Sequence, residues 1–186
     1  MAILKIARMG HPMLARKAEP VADPTAPEIR RLVADMIETM IDANGAGLAA
    51  PQVHVPWRVV VFQAPENRND PGLSEEERFD SAAPLTVLVN PEIEIVESAS
   101  EGGWEGCLSV PGLRGFVERP RHVRYRGTDH EGRQIARTAR GFHARVVQHE
   151  CDHLDGILYP QRMSDLRNLI FESEARHRAD PDNERQ

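Results

Sequence analysis

His149-Glu150-Cys151-Asp152-His153 sets two histidines four residues apart with a glutamate beside the first. On a helix, that spacing brings both imidazoles to one face, with Cβ atoms roughly 6 Å apart, close enough to share one metal ion. Glu150 then flanks the ion rather than joining it, where its carboxylate could take a proton from a bound water. The plainer reading, a surface helix with two histidines, conflicts with Phe142, Val146 and Leu154 on the same stripe, because two unliganded buried histidines are costly.

A catalytic site of this kind needs a third protein ligand and one open position. Two kinds of candidate are present. Glu172 or Glu174 would complete a zinc-peptidase arrangement, whereas Cys107, in Glu105-Gly106-Cys107-Leu108-Ser109, would make a thiolate site. Glycines at 102, 103 and 106 suggest a tightly approached backbone there, although Cys107 reads equally well as a small buried residue. The run Gly45-Ala46-Gly47-Leu48-Ala49-Ala50-Pro51-Gln52 lacks the ending of a phosphate loop. Its small residues would admit a substrate, and Gln52 could donate to a developing oxyanion, but from these residues alone a helix cap followed by a bend is the favoured reading. Cys151 points about 200° around the helix from the metal face and reads as a buried small hydrophobe. His11, His54, His122, His130, His143 and His177 lack paired spacing and read as turn or surface residues.

These groups need elements to hold them. Ile29, Leu32, Val33, Met36, Ile37, Met40 and Ile41 mark a helix over 26–43, with a Thr25–Glu28 capping box before it and Asn44-Gly45 after it. Trp57 to Gln63 and Leu85 to Val89 read as buried strands, and Ile93 and Ile95 alternate with glutamates on a half-wet one. Val123 to Thr128 and Arg133 to Thr138 read as a hairpin. The histidine pair sits on a helix over 139–155 that Gly156 ends, and another helix is expected from Ser164, using Leu166, Leu169 and Ile170. Residues 64–84, charged and aperiodic, read as a long exposed loop, and about 179–186 as a polar tail. The pattern is α+β: mixed, mainly antiparallel sheets around a central metal-binding helix, with an N-terminal and a C-terminal helix.

At 186 residues, the chain fits one domain spanning 1–186. Its net charge of -6 argues against bulk binding to DNA or anionic lipid, no apolar stretch would span a bilayer, and two cysteines fit a reducing compartment. The acidic excess is local. Residues 64–84 and 172–186 carry it, while 114–145 holds nine arginines against three acids, most simply the solvated face of a hairpin.

Three segments together, Gly45 to Gln52, Glu105 to Ser109 and Gln148 to His153, match GxGLAAxQ, EGCLS and QHExDH, and the chain resembles the peptide deformylases from Met9-Gly10-His11-Pro12 to the last helix. The resemblance implies that Cys107, His149 and His153 bind the metal with water as fourth ligand, and that Glu150 is the general acid/base. It implies that the Gln52 amide and the Leu108 N–H stabilise the oxyanion, that Gly47 hydrogen-bonds substrate backbone, and that Arg114 edges the site. The implied reaction is hydrolysis of the N-formyl group from the formyl-methionine of nascent peptides, releasing formate, and a start without transit-peptide character favours a cytoplasmic enzyme. Fe(2+) is the implied native metal, with Zn(2+), Ni(2+) or Co(2+) able to occupy the same ligands. The basic 114–145 segment adds a hypothesis of transient ribosome association.

Overall fold

The computed structural model describes residues 2–65 and 74–177. After a short 3-10 turn at Pro12–Ala15 come α1 (Pro27–Asp42), β1 (Gly47–Ala49), a 3-10 turn at Ala50–Val53 and β2 (Val59–Ala64). Next follow α2 (Glu75–Ser81), β3 (Ala83–Cys107), β4 (Val110–Thr128), β5 (Gln134–Arg140), α3 (Gly141–Leu154) and β6 (Leu169–Phe171), with further 3-10 turns around β6. The strands form one antiparallel sheet in the order β1-β2-β3-β4-β5, and β6 pairs with β4. The α+β expectation holds.

β2 explains why a strand can be apolar throughout. Val60 and Phe62 face α3 with Leu88, Val123, Val147 and Leu154, while Val59 and Val61 face α1 with Val33, Met36, Met40 and Val89. The sheet therefore lies between two helices, and each fully buried Val, Leu or Phe contributes about 1.5–3 kcal/mol. β3 and β4 form a long hairpin that turns through Leu108 and Ser109, so that Cys107 pairs with Val110 at its tip. The stretch of β3 around 94–96 is wetter than its alternation predicts: Ile95 and Val96 are exposed together with Glu94, and only Ile93 packs against the core.

Several local expectations are corrected. α1 has no capping box: Pro27 opens it, Ala26 is the cap, and the Thr25 hydroxyl donates to Asp23 instead. Ile41 is exposed and lies off the buried stripe of α1. The stretch 64–84 is not simply a loop, because Ser74 and Glu77 form a true capping box that starts α2; its 66–73 part lies outside the described residues. The helix expected from Ser164 is absent. Leu166–Asn168 is a 3-10 turn and Leu169–Phe171 is a strand against Leu113–Gly115, with only 3-10 helix over Glu172–His177. An open sheet edge there offers three residues ladder hydrogen bonds that an isolated helical turn lacks. The 179–186 tail lies outside the described residues.

The basic segment does not form a positive face. Arg121, Arg124 and Arg126 of β4 pair across the hairpin with Glu97, Glu94 and Glu92 of β3. Arg133 pairs with Asp129, and Arg119 and Arg145 turn inward to Glu105. Among the described residues, no helix is long and apolar enough to cross a membrane.

Candidate metal centre and active site

α3 carries the site because its inner face is buried along most of its length: His149, Glu150 and His153 are each 8% exposed or less. Opposite it stands the β3–β4 hairpin tip. The Cys107 sulfur lies 3.3 Å from Nε2 of His153, and the donor atoms of Cys107, His149 and His153 all fall within 4.8 Å of one another. Glu172 and Glu174, the rival third ligands, stand outside this group; Glu172 lies 3.8 Å from Arg114 at the cleft edge, and Glu174 is exposed. Cys151 is buried in the core behind α3, where burial pushes its thiol far up.

This donor set fits a divalent metal ion. Nδ1 of His149 donates to Glu105 Oε2 at 2.8 Å, leaving its Nε2 as a ligand atom, and the sulfur supplies a soft third donor. Burial opposes charge on His149, yet hydrogen bonds to Cys107 and Glu105 outweigh it and raise its pKa, so the pocket favours a positive charge. Burial, with the charges of His149 and Arg119, holds His153 well below its ordinary value. Glu150 lines the cleft, and its Oε2 is buried without a hydrogen-bond partner among the described residues. Burial pushes that carboxyl up to about 7.

Glu105 is the hub behind the histidine. Arg119 grips it with Nε at 2.6 Å and Nη2 at 2.9 Å, and Arg145 adds a third contact at 2.8 Å. Burial alone would raise the Glu105 pKa, but Arg119 and His149 hold it well below the usual carboxylate range. Arg119 also donates to Asp152, which accepts from Arg162 on the far side. Glu105, Arg119, Asp152, Arg145 and Arg162 join the site without being among the residues that the sequence singles out. Glu105 and Asp152 lie inside the quoted motifs, and an acid placed beside a buried ligand histidine was the available signal.

Gln52 sits on the 3-10 turn after β1, 1% exposed. Its Oε1 accepts from the Ala49 N–H at 2.8 Å, which aims Nε2 at Ser109 Oγ, 3.1 Å away, and at the Cys107 sulfur, 3.5 Å away. Gly47 packs on Glu150, and Leu108 lies beside Cys107 in the hairpin turn. Gly47, Gln52, Cys107, Leu108, His149 and Glu150, with Arg114, line one cleft of about 940 Å³ that also takes in Phe142 and Val146, while His153 is buried behind its wall. The other histidines stay outside it. His143, expected at the surface or in a turn, is instead wholly buried, donating from Nδ1 to the Asp80 carbonyl and accepting from the Tyr125 hydroxyl.

The polypeptide deformylase sequence profile matches residues 3–169. The chain belongs to that family. Among deformylase relatives, it is 51% identical over 168 residues to peptide deformylase 1 of Bordetella pertussis, covering 89% of this chain and 90% of the relative. It is 51% identical over 171 residues to peptide deformylase 2 of Ralstonia nicotianae, covering 91% and 92%. The crystal structure of the Ehrlichia chaffeensis deformylase superposes with a TM-score of 0.79 at 32% identity, covering 89% of this chain and 90% of that one. The actinonin-bound class I type b deformylase of Acinetobacter baumannii gives 0.74 at 36%, covering 88% and 100%.

Proposed function

We propose that this deformylase removes the N-formyl group from the formyl-methionine of nascent peptides with Cys107, His149 and His153 as metal ligands and Glu150 as the proton-transfer group. One observation carries the reading: two histidine nitrogens and a cysteine sulfur converge beside a buried carboxylate with an unpartnered oxygen. A divalent ion held there would supply Lewis acidity and an acidified water, and Fe(2+) is our assignment for the native ion, with Zn(2+), Ni(2+) or Co(2+) as substitutes. Glu150 takes the proton of the attacking water and returns it to the leaving amine. As the formyl carbon becomes tetrahedral, its oxygen gains charge that Gln52 Nε2 and the Leu108 N–H stabilise by donation. Gly47 leaves room for the carboxylate and offers backbone to the substrate, and Arg114 edges the entrance. Phe142 and Val146 line the cleft as an apolar wall suited to a methionine side chain.

The whole of 1–186 forms one catalytic domain in this reading, acting in the cytoplasm where formylated chains are made. Transient association with the ribosome belongs to it as well. That contact would run through the basic 114–145 segment, where the exposed pairs of Arg124 with Glu94 and Arg126 with Glu92 hold the arginines only weakly, and ribosome co-sedimentation left unchanged by Arg124→Glu with Arg126→Glu would overturn it. The ligand assignment is tested by metal content after anaerobic purification. Cys107→Ala should lose the metal and Glu172→Ala should keep it; the reverse pattern would establish the peptidase-type ligand set.

A further inference from the structure

Arg145 stands one helical turn before His149 on α3 and reaches across the cleft to the opposite pair of strands. Its side chain is 13% exposed. Nη1 donates to Glu105 Oε1 at 2.8 Å and to the Val117 carbonyl at 2.8 Å, and lies 3.4 Å from the Gly103 carbonyl; Nη2 donates to the Glu101 carbonyl at 2.8 Å. One guanidinium thus ties the histidine helix to β4 and to the stretch of β3 that ends at Cys107. The Arg119 side chain grips Glu105 and Asp152 and, among the described residues, donates to no carbonyl of 101–103, so the two guanidinium groups are not duplicates.

Gly103 is shaped to this arrangement. A Cβ there would lie 2.7 Å from Cζ and Nη2 of Arg145 and 2.9 Å from its Nε. A free arginine tip would move aside easily, but this one is held by a carboxylate and by backbone carbonyls on both strands of the hairpin.

We infer that Arg145, admitted by the missing side chain of Gly103, is a positioning residue that sets the spacing of Cys107 against His149 and His153. It acts on the histidine through Glu105 and on the cysteine through the backbone of β3. The inference rests on the reading of these three residues as the metal ligands.

Cobalt(II) titration under anaerobic conditions tests it, because the thiolate-to-cobalt absorption reports the cysteine bond directly. Wild-type protein should bind one equivalent with that absorption; its absence would overturn the ligand assignment itself. Arg145→Met should bind cobalt about 10–100-fold more weakly, the usual cost of losing a group that orients a ligand, with a weakened thiolate band. Arg145→Lys, which keeps the charge but not the fork, should recover part of the loss. Gly103→Ala should weaken binding by displacing the guanidinium, yet add nothing in the Arg145→Met background, where no guanidinium remains to be displaced. Should Arg145→Met fail to fold, Arg145→Lys and Gly103→Ala still decide. Wild-type cobalt affinity and spectrum in these variants, with only a raised KM or a lowered melting temperature, would overturn the inference, since a cleft-lining or purely structural role moves only those.

Discussion

A Cβ on Gly47 would lie 2.7 Å from Cγ of Glu150 and closer still to its carboxylate. The glycine of β1 and the glutamate of α3 are therefore in direct contact across the site, and the backbone at 47 fixes where the carboxylate can stand. Gly47→Ala should push Glu150 out of place and lower kcat about 100-fold, the scale of a misplaced reacting group, with metal content unchanged. Steady-state formate release and metal analysis on the same preparation check this.

Gln52 is oriented before any substrate arrives, because its Oε1 is occupied by the Ala49 N–H. Gln52→Glu keeps that acceptor and removes the Nε2 donor. We expect kcat to fall about 10²–10³-fold while KM changes little, since an oxyanion forms only after attack. A rise in KM alone would reassign the residue to ground-state binding.

The metal ligands were legible because their signals are local: a four-residue spacing on an amphipathic stretch, and a cysteine among glycines. Their supports were not. Glu105 and Arg119 are fourteen positions apart and meet only through the β3–β4 register, and Arg119 joins Asp152 across thirty-three. In the sequence, Arg119 was one basic residue among nine. Capping signals misled in the same way: Thr25 and Glu28 had the right spacing, but Asp23 engages the threonine, while the true box at Ser74 and Glu77 lay in a stretch read as loop. Leu166, Leu169 and Ile170 suit a helix by spacing, and only the free edge of β4 decides for a strand.

Arg119 is buried between Glu105 and Asp152, so its removal would leave two buried carboxylates with weakened partners. Arg119→Met should destabilise the protein by about 3 kcal/mol, lowering the melting temperature by roughly 10 °C for a chain of this size. Arg145 and Arg162, which keep their contacts to the two acids, should hold the loss near that value. Calorimetry of the variant beside wild type is the check.

His143 gives a pH dependence with a definite sign. Burial, partly offset by its bond to the Asp80 carbonyl and reinforced by the nearby Arg137 charge, lowers its pKa from 6.5 to about 4. Tyr125, also facing it, stays neutral, its hydroxyl pushed up to about 12 mainly by burial. Between pH 6.5 and 4 the unfolded chain binds a proton that the folded chain refuses, so stability falls as pH drops through that window. The loss at pH 5 relative to pH 7 is about 2 kcal/mol. Urea unfolding should show His143→Gln closing on wild type by that amount between the two pH values.

The account centres on Glu150 moving the proton while three other residues hold the metal. Formate release from a formyl-methionyl peptide by Glu150→Gln, loaded with one equivalent of metal, tests it most directly. The expected result is full metal occupancy with turnover lowered about 10²–10⁴-fold. Turnover near wild type in the metal-loaded variant would contradict the account.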